Sequence, residues 1–237
     1  MDQSTLEERF AVGILPELRR AMAHGGAFRQ DDDKEACMKK GLHQDITGVI
    51  LVGGKSRRMG RDKAFLQIAG KPLFEPVFDL LRESFTRVVL VGDRAERFTG
   101  YNLPVLPDIY PGSALGGLYT ALYHAETEHI FVSACDLPFP SREILLKLCS
   151  LREGFDAVVP STARGLEPLF AVYAKSCLEP IRVLLESGNF CAYAYYPQIR
   201  VRYVTEEELN HFGRSGKSFV NVNTPEEFEK IRKEECT

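Results

Sequence analysis

Four short apolar runs in this chain each end at residues that turn a backbone. Val49-Ile50-Leu51-Val52 stops at Gly53-Gly54, the run 87–91 stops at Gly92, 103–106 stops at Pro107-Asp108, and 129–133 leads into Cys135-Asp136-Leu137-Pro138. Runs of this length between turn residues read as buried strands. The segments between them carry helical spacing. Phe74, Val77, Phe78, Leu81 and Phe85 form one such face, and Leu118, Ala121, Leu122 and Ala125 another, within 115–126. Ile144, Leu145 and Leu148 follow a candidate N-cap at Ser141. Further strands are expected at 156–160, 168–173, 199–204 and 218–223, with a helix at 178–186. A last helix starts at Thr224-Pro225-Glu226-Glu227, threonine capping and proline first. Strands alternating with helices give an α/β domain with a mostly parallel sheet. Ligands of such sheets sit beyond the carboxyl ends of the strands, so Gly53, Gly92, Asp108 and Asp136 are expected to share one rim.

The first of these turns has the chemistry of an anion site. Gly53 and Gly54 have no side chain to keep backbone N–H groups from a phosphate. Lys55, Arg57, Arg58, Arg61 and Lys63 follow, and their charge suits a polyphosphate. An ordinary strand–turn with a solvated basic loop remains the alternative.

Composition narrows the partners. The formal net charge is −3, which argues against a broad nucleic-acid-binding surface. No apolar run approaches about 18 residues, so no membrane span is expected. The start, MDQSTLEERF, lacks a basic stretch followed by an apolar one, so no secretory signal is expected. The six cysteines show no C-x-x-C pair and no zinc-ligand spacing. Scattered thiols suggest a reducing, cytoplasmic setting. Residues 1–45 differ from the rest and read as a linker-like extension. Leu6, Phe10, Ile14, Leu15 and Leu18 could line a short helix there, before the polar run 31–35. Met38 stands where the core could begin, with the main domain at 46–233 and a tail at 234–237.

Leu51-Val52-Gly53-Gly54, Ser56, Arg58-Met59-Gly60 and Asp62-Lys63-Ala64 together resemble the opening signature of the molybdenum cofactor guanylyltransferases. Val52 stands where that family usually has alanine. The likeness continues to about Ile231, through Leu106-Pro107-Asp108, Cys135-Asp136-Leu137-Pro138, Glu167-Pro168-Leu169 and Asn221-Val222-Asn223-Thr224-Pro225-Glu226. It implies a three-layer Rossmann-like nucleotidyltransferase fold. It also implies transfer of GMP from GTP to molybdenum-molybdopterin, which yields the guanine dinucleotide form of the cofactor and pyrophosphate, with Mg²⁺ as the metal. Leu51, Val52, Gly53 and Gly54 would hold the guanine nucleotide, with Lys63 and Arg58 on the phosphates. Asp108 would bind GTP and Asp136 the Mg²⁺. Asn221 and Asn223, two apart on a strand, would face the metal or the acceptor phosphate together. Glu167-Pro168-Leu169 matches a segment near the pterin. Proteins that mature molybdenum enzymes would be partners; nucleic acid and membrane would not.

The chain departs from the family at two further places. The glycine-rich stretch 112–118 lacks a proline, and Val91 stands where an asparagine often contacts nucleotide, so that contact is not carried over. Three of these roles also have a plainer alternative: a helix N-cap or turn residue for Asp136, a solvated loop cation for Arg58, and a lead into the Thr224 cap for Asn223. Competing activities are cytidylyl transfer to the same pterin, transfer to a sugar phosphate, and non-catalytic nucleotide binding.

Overall fold

All residues from Ile46 to Leu51 on strand β1 (His43–Leu51) are buried. A strand paired along both edges and covered on both faces must bury its whole length. The strand starts three residues ahead of Ile46, and Arg152 pairs with Asp45 at its amino end. The computed structural model describes residues 42–53, 63–68, 70–93, 95–211, 215–222 and 224–235. The helix drawn through Leu6 and Leu18, the polar run 31–35 and the start at Met38 lie outside these residues.

After β1 the described chain resumes in a 3₁₀ turn, Lys63–Phe65, and a small hairpin of β2 (Gln67–Ile68) and β3 (Lys71–Pro72). Helix α1 (Glu75–Ser84) leads to β4 (Phe85–Val91), and a 3₁₀ segment, Ala95–Tyr101, leads to β5 (Val105–Leu106). Next come α2 (Ala114–His124), β6 (His129–Ala134), α3 (Arg142–Ser150) and β7 (Ala157–Thr162). Then follow β8 (Gly165–Leu166), β9 (Phe170–Ala174), α4 (Leu178–Glu186) and β10 (Val201–Thr205). Short helices α5 (Glu206–Asn210) and α6 (Ser215–Ser218) precede α7 (Pro225–Glu235).

Among the described residues the main sheet runs β10-β7-β9-β6-β1-β4-β5, with β8 on β7. The pairings are parallel except those of β9 with β6 and β7 and of β8 with β7. Helices cover both faces. Ile46 and Ile50 point into the cluster that holds Leu81 of α1 and Leu145 of α3. A Cβ at Gly48, between them, would meet the Phe85 ring at 2.7 Å. On the opposite face Thr47 shares a 2.8 Å hydroxyl contact with Thr127, and Leu51 lies under Gly117 of α2. This is the three-layer arrangement expected.

The two caps read from the sequence are present. Ser141 Oγ accepts from Ile144 N at 3.3 Å. Thr224 Oγ1 accepts from Glu227 N at 3.2 Å while the Glu227 carboxylate accepts from Thr224 N. The strand expected at 218–223 is not there. Ser218 ends α6 and the described chain beyond it is irregular. Its burial does not alternate: Phe219 and Val222 are buried, with half-exposed Val220 and Asn221 between them. The apolar residues instead build a second small core. Val222 joins Ile68, Leu73 and Ile231 there, with Phe139, Val220 and Phe228 packed against it.

Candidate functional site at the carboxyl ends of the strands

The rim is set by register. Leu51 pairs with Val91 on one side and with Ala134 on the other, and Val91 pairs with Leu106. The residues that follow these strand ends therefore emerge at one level. Val52 N donates to Val91 O and Gly92 N to Leu106 O, both at 2.9 Å, which carries the pairing past the strand ends. Gly53 and Gly92 touch: a Cβ on Gly92 would lie 2.8 Å from Gly53 N, a separation only glycine tolerates. A Cβ on Gly53 would lie 3.2 Å from Asp108 Oδ2. Gly53, Gly92 and Asp108 thus converge as expected.

Asp108 is held from the far side by α2. Ile109 N donates to Thr120 Oγ1 at 2.9 Å, and that hydroxyl donates to Gly116 O. Ser113 caps the helix by accepting from Gly116 N at 3.0 Å. A side chain at Gly116 would strike Tyr110 O at 1.9 Å, so glycine lets the loop lie flat on the helix. The result is a carboxylate with Oδ1 buried and no hydrogen-bond partner among the described residues. Burial, and then the Asp93 carboxylate, push its pKa up to about 6. A buried acceptor without a donor is costly, and it suits a ligand that brings N–H groups. Asp93 follows the glycine that ends β4, and the sequence reading passed over it. An acidic residue straight after a strand-ending glycine was the signal available.

Asp136 stands two residues past β6, in a turn and half-buried. Ser141, not Asp136, caps α3. Val222 N donates to Asp136 O at 3.1 Å, so the closing motif lies against the turn that carries the carboxylate. Asn221, half-buried, is brought there too. It arrives on an irregular segment, so the strand argument for a shared direction with Asn223 falls away. The second small core ties this region to the chain that follows the glycine loop, since Ile68 of the hairpin packs with Val222. The Lys63–Phe65 turn is anchored alongside: Phe74 N donates to Ala64 O, and Phe65 packs on Phe74 and Phe98. Gly54, Arg58 and Asn223 lie outside the described residues, as does the Lys63 side chain.

On the other flank, Ala134 N donates to Leu169 O at 2.8 Å. The Glu167-Pro168-Leu169 segment therefore adjoins the Asp136 turn from the β9 side. Among the described residues no group of three or more His, Cys, Asp or Glu side chains converges. The donor there is Asp136, with the backbone that carries Asn221 tied to its turn through Val222 N. That fits Mg²⁺, which keeps its waters and takes one or two carboxylates plus substrate phosphates, better than a metal needing a closed protein cage. No helix among the described residues is long and apolar enough to cross a membrane.

Comparison with known proteins agrees with this geometry. Residues 48–199 match the model of the MobA-like NTP transferase domain. A probable molybdenum cofactor guanylyltransferase of Pelotomaculum thermopropionicum is 38% identical over 187 residues, spanning 78% of this chain and 91% of that one. A molybdenum cofactor guanylyltransferase of Desulfosudis oleivorans is 35% identical, over 78% and 93% of the two chains. The crystal structure of molybdopterin-guanine dinucleotide biosynthesis protein A from Archaeoglobus fulgidus superposes with a TM-score of 0.71 at 28% identity, covering 79% of this chain and 97% of that one. With well over half its length matched, the chain belongs to the MobA-like NTP transferase family.

Proposed function

We propose that this protein is a nucleotidyltransferase that moves GMP from GTP onto molybdenum-bearing molybdopterin and releases pyrophosphate. A terminal phosphate oxygen of the pterin attacks the α-phosphorus of GTP, and the bond to the β-phosphate oxygen breaks. Such a step asks little covalent work of the protein, so positioning and charge supply the rate. The carrying observation is the junction of Gly53, Gly92 and Asp108 on one rim, with the Asp136 turn at the neighbouring strand end. Gly53 and Gly92 let the first two strand ends and Asp108 close on one another at the edge where a nucleotide would lie. Asp108 offers an acceptor for the N–H groups of a guanine nucleotide. Lys63 and Arg58 are assigned to the phosphates from the sequence motif. Asp136, with Asn221 and Asn223, would hold Mg²⁺, which supplies counter-charge for the phosphates. GTP and the pterin are the partners in this reading, and its setting is the cytoplasm, where proteins that insert the finished cofactor into molybdenum enzymes would meet it.

The test is pyrophosphate release by the purified chain with molybdenum-loaded molybdopterin and Mg²⁺, with GTP and CTP in competition. GTP is expected to be consumed in preference. Preferred use of CTP would replace the guanylyl assignment with a cytidylyl one, and release with neither would remove the enzyme reading.

A further inference from the structure

Five aromatic rings join the turn that carries Lys63 to the chain between β4 and β5. Phe65 ends that turn, and its ring centroid lies 5.1 Å from that of Phe98 and 5.8 Å from that of Phe74. Phe98 meets Phe74 edge-on at 5.2 Å. Tyr101 meets Phe74 at 4.5 Å and Phe78 at 5.0 Å, also edge-on. Edge-on pairs of rings favour particular orientations over loose packing. The Arg97 guanidinium stands over the Phe65 ring at 5.8 Å. Phe74 and Phe98 are fully buried, while Phe65 and Tyr101 are half-buried.

The two segments joined in this way both bear on the rim. The 3₁₀ segment Ala95–Tyr101 begins two residues past Asp93 and leads into β5, which ends two residues before Asp108. It lies outside the sheet, so side chains fix its place. Phe98 and Tyr101 enter the ring cluster, and Tyr101 Oη donates to Glu75 Oε1 at 2.9 Å on the first turn of α1. The Lys63–Phe65 turn is also outside the sheet. Phe74 N donates to Ala64 O at 3.2 Å, and Phe65 rests on the rings.

We infer that Phe98 is a positioning residue for phosphate binding: through Phe65 it fixes the turn that carries Lys63 relative to the strand ends that carry Asp93 and Asp108. The inference rests on the nucleotide reading above, in which Lys63 meets the phosphates of GTP and Asp108 accepts from its N–H groups. One nucleotide spans both grips, so their spacing has to be kept. Parallel register sets the Asp108 side. The ring cluster is what ties the Lys63 side to it. Misplacing a binding group by about 1 Å can cost about 100-fold in rate.

A double-mutant cycle on the full chain tests this without turnover, by equilibrium titration with GTP and Mg²⁺. Phe98→Leu keeps an apolar side chain and takes the ring away from Phe65. It should weaken GTP binding about tenfold, as should Lys63→Ala, the scale of a hydrogen bond to a charged group. The double variant should bind GTP within about twofold of Lys63→Ala, because a misplaced lysine and an absent one lose the same contact. Phe65→Leu removes that ring pair from its half-buried side and should show the same pattern. Phe78→Leu opens the cluster at Phe74 and Tyr101 instead. It should lower the melting temperature with GTP affinity held within about twofold. Unchanged GTP affinity in Phe98→Leu, a full additional loss on the Lys63→Ala background, a different pattern in Phe65→Leu, or an equal loss in Phe78→Leu would each overturn the inference alone. Normal GTP binding by Lys63→Ala, or none by the unaltered chain, would remove the nucleotide reading and this inference with it.

Discussion

The two sides of the rim are built from different materials. On the nucleotide side, β1, β4 and β5 run parallel and their ends meet through backbone: Gly92 against Gly53, Val52 N on Val91 O, Gly92 N on Leu106 O. On the β9 side the antiparallel β9 sits between β6 and β7, and the backbone bonds Ala134 N on Leu169 O and Glu167 N on Pro160 O are joined by a side chain, the Tyr173 hydroxyl on the Pro168 carbonyl. The first of these depends on the absence of side chains, because Gly53 and Gly92 pack directly on each other. The second depends on the hydroxyl of a residue distant in sequence from the turn it holds.

The largest effect is expected at the seam. Asp136→Asn keeps the shape of the turn and removes the charge assigned to the metal. Turnover with GTP and the pterin should fall about 100-fold or more, roughly 3 kcal/mol of transition-state stabilisation, with the melting temperature little changed. Near-normal rates in steady-state assays would take Asp136 out of the metal site and leave the two sides without a common centre.

A smaller effect, of two opposite signs, is expected on the nucleotide side. The Asp108 carboxyl has its pKa raised from the ordinary 3.8 to about 6, mainly by burial. A carboxyl raised by folding holds its proton more tightly in the folded state. Its contribution to stability is therefore fully present below about pH 4 and is lost as pH rises through about 6. Ligand binding runs the other way, because the ionised form is the acceptor: KM for GTP should climb below pH 6. Asp108→Asn should raise KM for GTP about tenfold at pH 7, flatten that climb, and stabilise the unliganded fold by about 1 kcal/mol, a figure kept low for the solvent that still reaches the group. GTP titrations and thermal melts between pH 5 and 8 measure both. A variant with unchanged KM would show that the buried Oδ1 has no part in nucleotide binding.

The same contrast explains what could be read from the chain directly. The nucleotide side is local: each apolar run carries its own stop, and parallel register brings Gly53, Gly92 and Asp108 level without further information. Ser141 and Thr224 were legible for the same reason, since a cap and the helix it starts are adjacent in sequence. The reversal of β9 was not legible, because Phe170–Ala174 is as apolar as a parallel strand and its direction is chosen by distant partners. The run 218–223 misled for a related reason. Its alternating apolar residues match a strand, but the structure uses them to fill a small core with Ile68 and Ile231, and Val222 N spends its hydrogen bond on Asp136 O. The buried group of Tyr173, Tyr195 and Tyr196 left one sign, three of the nine tyrosines within 193–196, and nothing in that spacing pointed to Tyr173 or Pro168.

The smallest effect separates the two kinds of buried phenol on the β9 side. The Tyr195 hydroxyl is buried with no hydrogen-bond partner among the described residues. Tyr195→Phe removes only that oxygen. The fold should be unchanged in stability or gain up to about 1 kcal/mol, with both KM values within about twofold of the parent. Tyr173→Phe removes the same atom from a neighbouring ring but strands the Pro168 carbonyl. Urea or thermal melts of the two variants should therefore move apart. If Tyr195→Phe lost as much stability as Tyr173→Phe, the phenols would be acting as one packed unit. The hydroxyl on Pro168 would then have no special claim to holding the turn ahead of β9.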